Sequence, residues 1–264
     1  MNWSGKNVMH RVTKRNVIAP FGTKSFISDA VFALSDVNSV NEVYGPLELE
    51  NVSLSLGRQI LISAISLRIE VAEIVTLMGA SGSGKSTLLA YMCGALPPAF
   101  TASGRVKIAG RDITCLSPEQ RRLGILFQDD LLFPHMSVGD NLAFALTPAV
   151  SGKIARRMRV ERALAEAGLE GFAERDPATL SGGQRARVAM MRTLLSEPQA
   201  LLLDEPFSKL DIATREQFRR FVFEHARSSQ LPTLMVTHDP ADAQAAGGVV
   251  IQIEILRPLQ QAKV

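Results

Sequence analysis

The order of apolar and polar positions indicates a strand-rich beginning of the fold. Residues 47–56 and 60–69 alternate between apolar and polar side chains, which is the pattern of half-buried antiparallel strands. Residues 74–78 form a short run of apolar and β-branched residues, which favours a strand buried in a parallel sheet. A helix is predicted directly after it, over 86–96, because Gly94 and two prolines mark its end.

The rest of the chain alternates between strand and helix patterns. Strands are predicted over the apolar segments 104–109, 123–127, 200–203, 233–237 and 249–253. Helices are predicted over 138–146, 153–168, 181–196, 212–228 and 239–246, with a short helix after Ser117 as its N-cap. Such alternation is typical of a parallel sheet with crossover helices, so we expect an α/β fold.

The helix predicted over 153–168 combines an apolar stripe with a basic face. Its apolar residues recur at helical spacing: Ile154, Met158, Val160, Leu164 and Ala167. Gly168 suits the end of this helix. We expect its arginines to form a solvated face, with contact to a membrane or a partner as the alternative: Arg156, Arg157, Arg159 and Arg162.

The most specific stretch of the chain is 79–87, GASGSGKST, which fits the phosphate-binding pattern G-x-x-x-x-G-K-[ST]. Glycines let the backbone wrap around an anion with its N–H groups pointing inward. Lys85 is placed to reach the β- and γ-phosphates, and the Ser86 hydroxyl is placed to bind Mg²⁺. The predicted strand before it and helix after it disfavour a chance glycine-rich turn. The candidate phosphate-binding residues are Gly79, Ala80, Ser81, Gly82, Ser83, Gly84, Lys85, Ser86 and Thr87.

Two further motifs suggest chemistry at the same phosphates. The predicted strand that begins at residue 200 ends in Asp204 and Glu205, which places carboxylates at the edge of a parallel sheet. Asp204 would support Mg²⁺, and Glu205 would orient and polarise the attacking water. Residues 180–184, LSGGQ, put two glycines at the start of a helix. Glycine weakens a first helical turn, so this choice favours close approach of a second phosphate group to the backbone.

Composition and charge limit the classes of function. A chain of 264 residues with 46% hydrophobic content can form one large domain with a substantial core. Its apolar runs are far shorter than the ~18 residues that span a bilayer, so a membrane role is expected only through a partner. The net charge of +3 shows no concentrated basic face, so nucleic-acid binding is not expected. Cys93 and Cys115 lack metal-ligand spacing and suggest a reducing cytosol.

Taken together, GASGSGKST, LSGGQ and LLLDEP, with Gln128 and His238 at their positions, resemble the nucleotide-binding subunit of an ATP-binding cassette (ABC) transporter. The likeness covers about residues 47–253. The stretch 127–142, FQDDLLFPHMSVGDNL, is similar in particular to the ATPases of bacterial binding-protein-dependent importers for thiamine, polyamines, iron and sulfate, and to a short importer ATPase of enteric bacteria. The resemblance implies a P-loop NTPase core with a mainly parallel sheet, an antiparallel β layer and an inserted helical subdomain. The ABC ATPase domain would span 47–264, with the helical subdomain at about 131–178.

The resemblance also implies ATP and Mg²⁺ as cofactors and a homodimer whose chains face head to tail and sandwich two ATP molecules. Each ATP would be held by the phosphate loop of one chain and by Ser181, Gly182, Gly183 and Gln184 of the other. The implied catalytic residues are Glu205 as the base, with His238, Gln128 and Lys85. The residues implied to serve Mg²⁺ are Ser86, Gln128 and Asp204. Ser208 and Asp211 would lie in the segment that contacts the other chain.

The implied partners are transmembrane permease subunits and a solute-binding protein. The implied location is the cytoplasmic face of the inner (cell) membrane, with attachment through the permease. Two alternatives stay open: an ATPase of an exporter or lipoprotein-release complex, and a regulator that senses ATP without turnover. Glu205 and His238 argue against the second alternative. Similar ATPases of chromosome maintenance and DNA repair need a long coiled coil, for which Gln128 and Leu180 are too close in sequence.

Three features depart from the family pattern or lie outside it. Residues 1–46 lack sustained periodicity and are expected to be a poorly ordered extension. A transit peptide, or a segment upstream of a true start near Leu47, are the alternatives for this stretch. Leu56 stands where the family usually has an aromatic residue that stacks on adenine, so we expect lower affinity or looser base selectivity. Lys209 stands where alanine is common in the segment that would contact the other chain.

Overall fold

A computed structural model describes residues 45–253 of the chain. In chain order its strands are β1 (Leu47–Leu56), β2 (Gln59–Ile69), β3 (Ile74–Met78), β4 (Phe100–Ile108), β5 (Arg111–Asp112), β6 (Leu123–Leu126), β7 (Ala200–Asp204), β8 (Thr233–Thr237) and β9 (Val250–Gln252). The expectation for the extension 1–46 concerns residues that lie, except for 45 and 46, outside this range, and it stays a prediction.

The helices in chain order are α1 (Lys85–Cys93), α2 (Pro118–Arg121), α3 (Val138–Ala145), α4 (Lys153–Glu166), α5 (Gly182–Leu195), α6 (Ile212–Ser228) and α7 (Pro240–Ala246). A short 3₁₀ helix, Pro177–Thr179, precedes α5. Within 45–253, none of these helices has both the length and the apolar character that crossing a membrane requires.

The strands form two sheets of different kinds. One is antiparallel in the order β2-β1-β4-β5, and the other is parallel in the order β6-β7-β8-β3-β9. All five residues of β3 and of β8 are buried, as a strand covered on both faces requires. The predicted α/β fold, with a mainly parallel sheet and an antiparallel β layer, is confirmed.

Alternating residues of the parallel strands contribute to different apolar clusters. Leu202 and Val236 pack with residues of the antiparallel sheet and with Leu88 and Met92 of α1. The neighbouring Leu203 packs on the opposite face with residues of α5 and α6. The parallel sheet is therefore covered on both faces, and its strand ends are held in fixed positions.

A third apolar cluster joins α3, α4 and α5. Val138 and Leu142 of α3 and Leu164 of α4 pack with Val188 of α5 and contribute to this cluster. The region predicted as a helical subdomain thus rests on α5, the helix that begins directly after Ser181.

Several predicted boundaries and faces were wrong. The strand predicted over 104–109 begins at residue 100, because β4 follows β1 through its whole length. The helix predicted over 86–96 already ends at residue 93, where Gly94 adopts φ +75°. Ile154 and Met158 are 78% and 68% exposed, so they do not belong to the apolar stripe predicted for α4.

The basic face of α4 is also not uniformly solvated. Arg156 is half-buried and donates hydrogen bonds to the carbonyl oxygens of Ala143, at 2.6 Å, and Val150, at 3.2 Å. Arg157 stays exposed, at 4.0 Å from Glu161. Arg156 therefore connects α4 to α3 and to the segment that follows α3, a role that helical periodicity does not indicate.

Candidate active site

The carboxyl ends of four neighbouring parallel strands meet at one edge of the sheet. In spatial order, β6 leads to Gln128, β7 ends at Asp204, β8 leads to His238 and β3 leads to the loop that begins at Gly79. Because the strands run parallel, the segments that follow them emerge on the same side. The structure thus brings the predicted phosphate loop, the two acidic residues and His238 together, with Gln128 at the adjacent strand end.

The predicted phosphate loop has a backbone that requires glycine. Gly82 and Gly84 adopt φ angles of +80° and +90°, in the left-handed region that side chains disfavour. A Cβ on Gly79 would lie 2.6 Å from the carbonyl oxygen of Ile253 and 2.8 Å from Ser83 Oγ. The loop therefore wraps as tightly as an anion-binding cradle needs.

Lys85 and Ser83 point their polar groups into this cradle. Lys85 is only 5% exposed, and its Nζ donates to the carbonyl oxygens of Gly79, at 2.8 Å, and Ala80, at 2.9 Å. Within 45–253, no carboxylate lies within ion-pair distance of Lys85, and the buried Ser83 Oγ has no hydrogen-bond partner. A buried ammonium group held only by carbonyls and an unpaired hydroxyl fit a polyanionic ligand such as a nucleoside triphosphate.

Ser86 and Asp204 form a second polar contact beside the loop. Ser86 Oγ donates a hydrogen bond to Asp204 Oδ1 at 2.9 Å. Burial raises the pKa of Asp204; the hydrogen bond from Ser86 opposes this, the charge of Glu205 raises the pKa further, and the charge of Lys85 lowers it. A cation would favour the charged carboxylate, and hard oxygen donors suit Mg²⁺, so these residues fit a magnesium site.

Glu205 and His238 form a pair at the ends of β7 and β8. His238 Nδ1 lies 3.1 Å from Glu205 Oε2, and the side chains are 56% and 20% exposed. Glu205 adopts φ +46°, an uncommon backbone conformation for a residue other than glycine. Its N–H donates to the carbonyl oxygen of Val236 at 3.0 Å, and its carbonyl oxygen accepts from Ser208. These contacts can therefore hold the Glu205 carboxylate in one orientation.

The loop after Gln128 is held by ion pairs and hydrogen bonds that sequence reasoning missed. Lys209 forms an ion pair with Asp129, and Arg185 Nε donates to Asp130 Oδ2 at 3.3 Å. Arg192 adds hydrogen bonds to the carbonyl oxygens of Asp130 and Leu131. The acidic pair after Gln128 and the arginines of the LSGGQRAR helix were the available signal, but their pairing depends on packing. Gln128 is thus connected through its neighbours to α5 and to the loop that precedes α6.

Ser181 and Gln184 form a capping box at the start of α5. Ser181 Oγ accepts from the N–H of Gln184 at 3.3 Å, and the N–H of Ser181 donates to Gln184 Oε1 at 2.9 Å. In the part of the chain that the structure describes, no hydrogen bond or ion pair joins residues 181–184 to the phosphate loop. The LSGGQ segment is therefore not part of the site that the strand ends form within one chain.

Comparison with known proteins shows which family this chain is similar to. A family model described as ABC transporter matches residues 62–208. The uncharacterized ABC transporter ATP-binding protein YnjD of Escherichia coli is 50% identical over 202 residues, which cover 76% of this chain and 93% of that protein. The probable sulfate/thiosulfate import ATP-binding protein CysA of Chlorella vulgaris is 38% identical over 78% of this chain and 86% of its own length. The Fe(3+) ions import ATP-binding protein FbpC of Agrobacterium fabrum is 41% identical over 78% of this chain and 58% of its own length.

Proposed function

The chain belongs to the ABC transporter family of ATP-binding proteins and is an ATPase, and from this premise we propose that it powers solute import through a membrane permease. The observation that supports ATP binding and hydrolysis most directly is the meeting of four strand ends around the phosphate loop. Import is supported by the similarity to two proteins named as import ATP-binding proteins, one for sulfate or thiosulfate and one for Fe(3+) ions.

In this proposal the phosphate loop binds the triphosphate of ATP, and Lys85 exchanges its two carbonyl partners for phosphate oxygens. Ser86, Asp204 and Gln128 serve Mg²⁺. When bound, the ion neutralises part of the phosphate charge that grows as the terminal phosphoryl group is transferred. The Ser86–Asp204 hydrogen bond already holds two of these oxygen groups together.

Glu205 is the proposed general base. It accepts the proton of the attacking water, while His238 orients the Glu205 carboxylate and contacts the γ-phosphate. The 3.1 Å contact between the two side chains supports this division of roles, because a base must be held before it can act. Gln128 contacts the γ-phosphate from the neighbouring strand end.

The proposed dimer gives the LSGGQ segment its function. Within 45–253 this segment makes no polar contact with the phosphate loop of its own chain, which supports action on the ATP of a second copy. ATP that contacts both chains stabilises the closed dimer more than the open one, so binding shifts the population toward closure. Loss of the γ-phosphate contacts after hydrolysis then reopens the dimer.

The proposed partners are permease subunits and a solute-binding protein, and the proposed place is the cytoplasmic face of the cell membrane. An open groove of about 640 Å³ lies beside Gln128, between Leu132, Pro177 and Arg185, and it offers a contact surface for a permease. Because Asp129 and Asp130 tie the Gln128 loop to this groove, a shift there would reach the nucleotide site.

The decisive test uses the purified full-length chain with Mg²⁺ and ATP. We expect Glu205→Gln to keep ATP binding but to lower hydrolysis at least about 100-fold, since general base catalysis supplies this much. Light scattering after gel filtration is expected to show a dimer of this variant only with ATP. Glu216→Gln, on an acid whose side chain is 76% exposed, is the matched control and keeps wild-type hydrolysis. Hydrolysis at the wild-type rate by Glu205→Gln would exclude Glu205 as the general base. A variant that stays monomeric in the presence of ATP would refute the proposed dimer.

Measuring the direction of transport requires the complex of this chain with its permease, reconstituted in vesicles. We expect the solute to accumulate in the compartment that holds the ATPase, and only when ATP is present there. Movement away from that compartment would instead support an exporter.

A further inference from the structure

Arg215, in the first turns of α6, lies between two loops that reach the candidate active site. Its Nη1 donates a hydrogen bond to Asp239 Oδ2 at 3.1 Å. Its Nη2 donates to the carbonyl oxygens of Ser208, at 3.4 Å, and Leu210, at 3.2 Å. One guanidinium group therefore connects the loop after Glu205 with the residue after His238.

Together with the His238–Glu205 contact, these hydrogen bonds form a closed ring of interactions that includes Glu205 and His238. The Ser208 N–H and Oγ both donate to the carbonyl oxygen of Glu205, at 3.3 and 2.9 Å. Asp239 directly follows His238, and His238 contacts the Glu205 carboxylate. Glu205 and His238 are thus joined once directly and a second time through Ser208, Arg215 and Asp239.

Asp239 is a fixed anchor for Arg215. Its Oδ1 accepts from the N–H of Ala241 at 2.8 Å and caps α7, while its own N–H donates to Thr237 Oγ1 at 3.0 Å. Arg219 approaches the same carboxylate at 3.6 Å. Since both ends of Asp239 are held, the bridge through Arg215 sets the position of the Ser208 loop relative to the end of β8.

The geometry requires arginine in particular. The guanidinium is planar and carries five donors in a fixed fork, so it can bond a carboxylate and two carbonyls at once. A lysine ammonium keeps the charge but lacks this fixed arrangement. The side chains of Arg215 and Asp239 are only 24% and 28% exposed, so solvent screens this pair less than a surface ion pair.

We propose that Arg215 is a positioning residue for ATP hydrolysis. It acts through Ser208 and Asp239 to keep the Glu205 carboxylate within contact distance of His238. The inference rests on the proposed roles of these two residues. It predicts an effect on the chemical step and not on nucleotide binding, because Arg215 makes no contact with the phosphate loop among the described residues.

The test compares Arg215→Lys with the wild type in the full-length chain. We expect kcat to fall at least about tenfold, while KM for ATP and the Kd of a non-hydrolysable analogue stay within about twofold. The midpoint of thermal unfolding is expected to stay close to that of the wild type, since the charge is kept. The matched control is Arg220→Lys on the same helix, where the side chain is 68% exposed, and it is expected to change none of these quantities.

Asp239→Asn breaks the same bridge from the other side and keeps an oxygen that can cap α7. If the two residues act as a unit, the double variant should be no less active than the less active of the two single variants. Wild-type kcat in Arg215→Lys would overturn the inference, as would a joint fall of kcat, analogue affinity and unfolding temperature, because that pattern marks a structural role. Multiplicative losses in the double variant would overturn it too. A wild-type chain without any hydrolysis would instead refute the proposed function, and with it this inference.

Discussion

Gly182 and Gly183 belong to one motif, yet the structure gives them different surroundings. A Cβ on Gly183 would lie closer than 3.0 Å to Cγ2 of Thr214 on α6, a separation that real Cβ atoms do not show. A Cβ on Gly182 would meet nothing closer than 3.7 Å. Packing between α5 and α6 therefore demands glycine only at position 183. The proposed approach of a phosphate group to the backbone concerns both positions.

The difference predicts opposite effects on stability. Thr214 is β-branched and its N–H is bonded to Asp211 Oδ1 at 3.1 Å, so it does not move away freely. Overpacking of this kind costs about 1–3 kcal/mol, whereas alanine in place of a helical glycine gains up to about 1 kcal/mol. When the full alanine gain is subtracted from the largest overpacking cost, Gly183→Ala loses a net of about 2 kcal/mol. At about 2–4 °C per kcal/mol, it should then lower the unfolding temperature by up to about 8 °C. Gly182→Ala should leave it unchanged or raise it by up to about 4 °C.

Thr214→Ser separates packing from chemistry, because serine keeps the hydroxyl and lacks the clashing methyl group. We expect Gly183→Ala combined with Thr214→Ser to unfold at the temperature of Thr214→Ser alone or above it. The assays are thermal unfolding without nucleotide and ATP hydrolysis, both on the full-length chain. We expect hydrolysis below the wild-type rate in Gly182→Ala and in the double variant. Gly182→Ala should nevertheless be as stable as the wild type, and the double variant as stable as Thr214→Ser.

Two results would refute this reasoning. An unfolding temperature of Gly183→Ala at or above that of the wild type, or no recovery by Thr214→Ser, would show that the α5–α6 contact does not require glycine. Wild-type hydrolysis by Gly182→Ala would show that no phosphate group needs to approach the backbone at this position.

Three further predictions follow from other parts of the molecule. Leu56→Tyr supplies an aromatic face at the end of β1, so ATP should bind about 2- to 12-fold more tightly, as measured by fluorescence titration; Leu56→Met is the control, and an unchanged Kd would contradict the assignment. Lys209→Ala should lower the free energy of unfolding by at most about 1 kcal/mol at low salt and by nothing at ~1 M salt, because its pair with Asp129 is exposed; a loss that persists in salt would exclude the ion pair as its cause. Burial raises the pKa of Cys93 to about 11, which leaves about one thiolate in a thousand at pH 8. Iodoacetamide should therefore label the exposed Cys115 first, by mass spectrometry, with faster labelling of Cys93 as the pH rises; equal rates at pH 8 would contradict the packing of α1.

Local patterns in the sequence were sufficient for most elements. The predicted bounds of β3, α6 and β8 coincide with those in the structure. These segments have strong signals within a few residues: buried β-branched runs for the strands, and Asp211 as the N-cap of α6. Where the pattern included exposed apolar residues, as at Ile154 and Met158, the predicted buried face was wrong. Periodicity reports which residues share a face but not what covers that face.

The sequence by itself also determined the family and the candidate residues. The phosphate loop and LSGGQ are each one continuous stretch of sequence, and the chemistry of each motif explains its residue types without knowledge of the fold. Only the tertiary structure decided which of them lie together. The hydrogen bond between Ser86 and Asp204 joins residues 118 positions apart, and it exists because β7 and β3 lie on either side of β8. The bridge from Arg215 to Asp239 depends in the same way on the packing of α6 against α7, whose N-cap is Asp239. Strand order and side-chain contacts are set by the whole core, so no local pattern contains them.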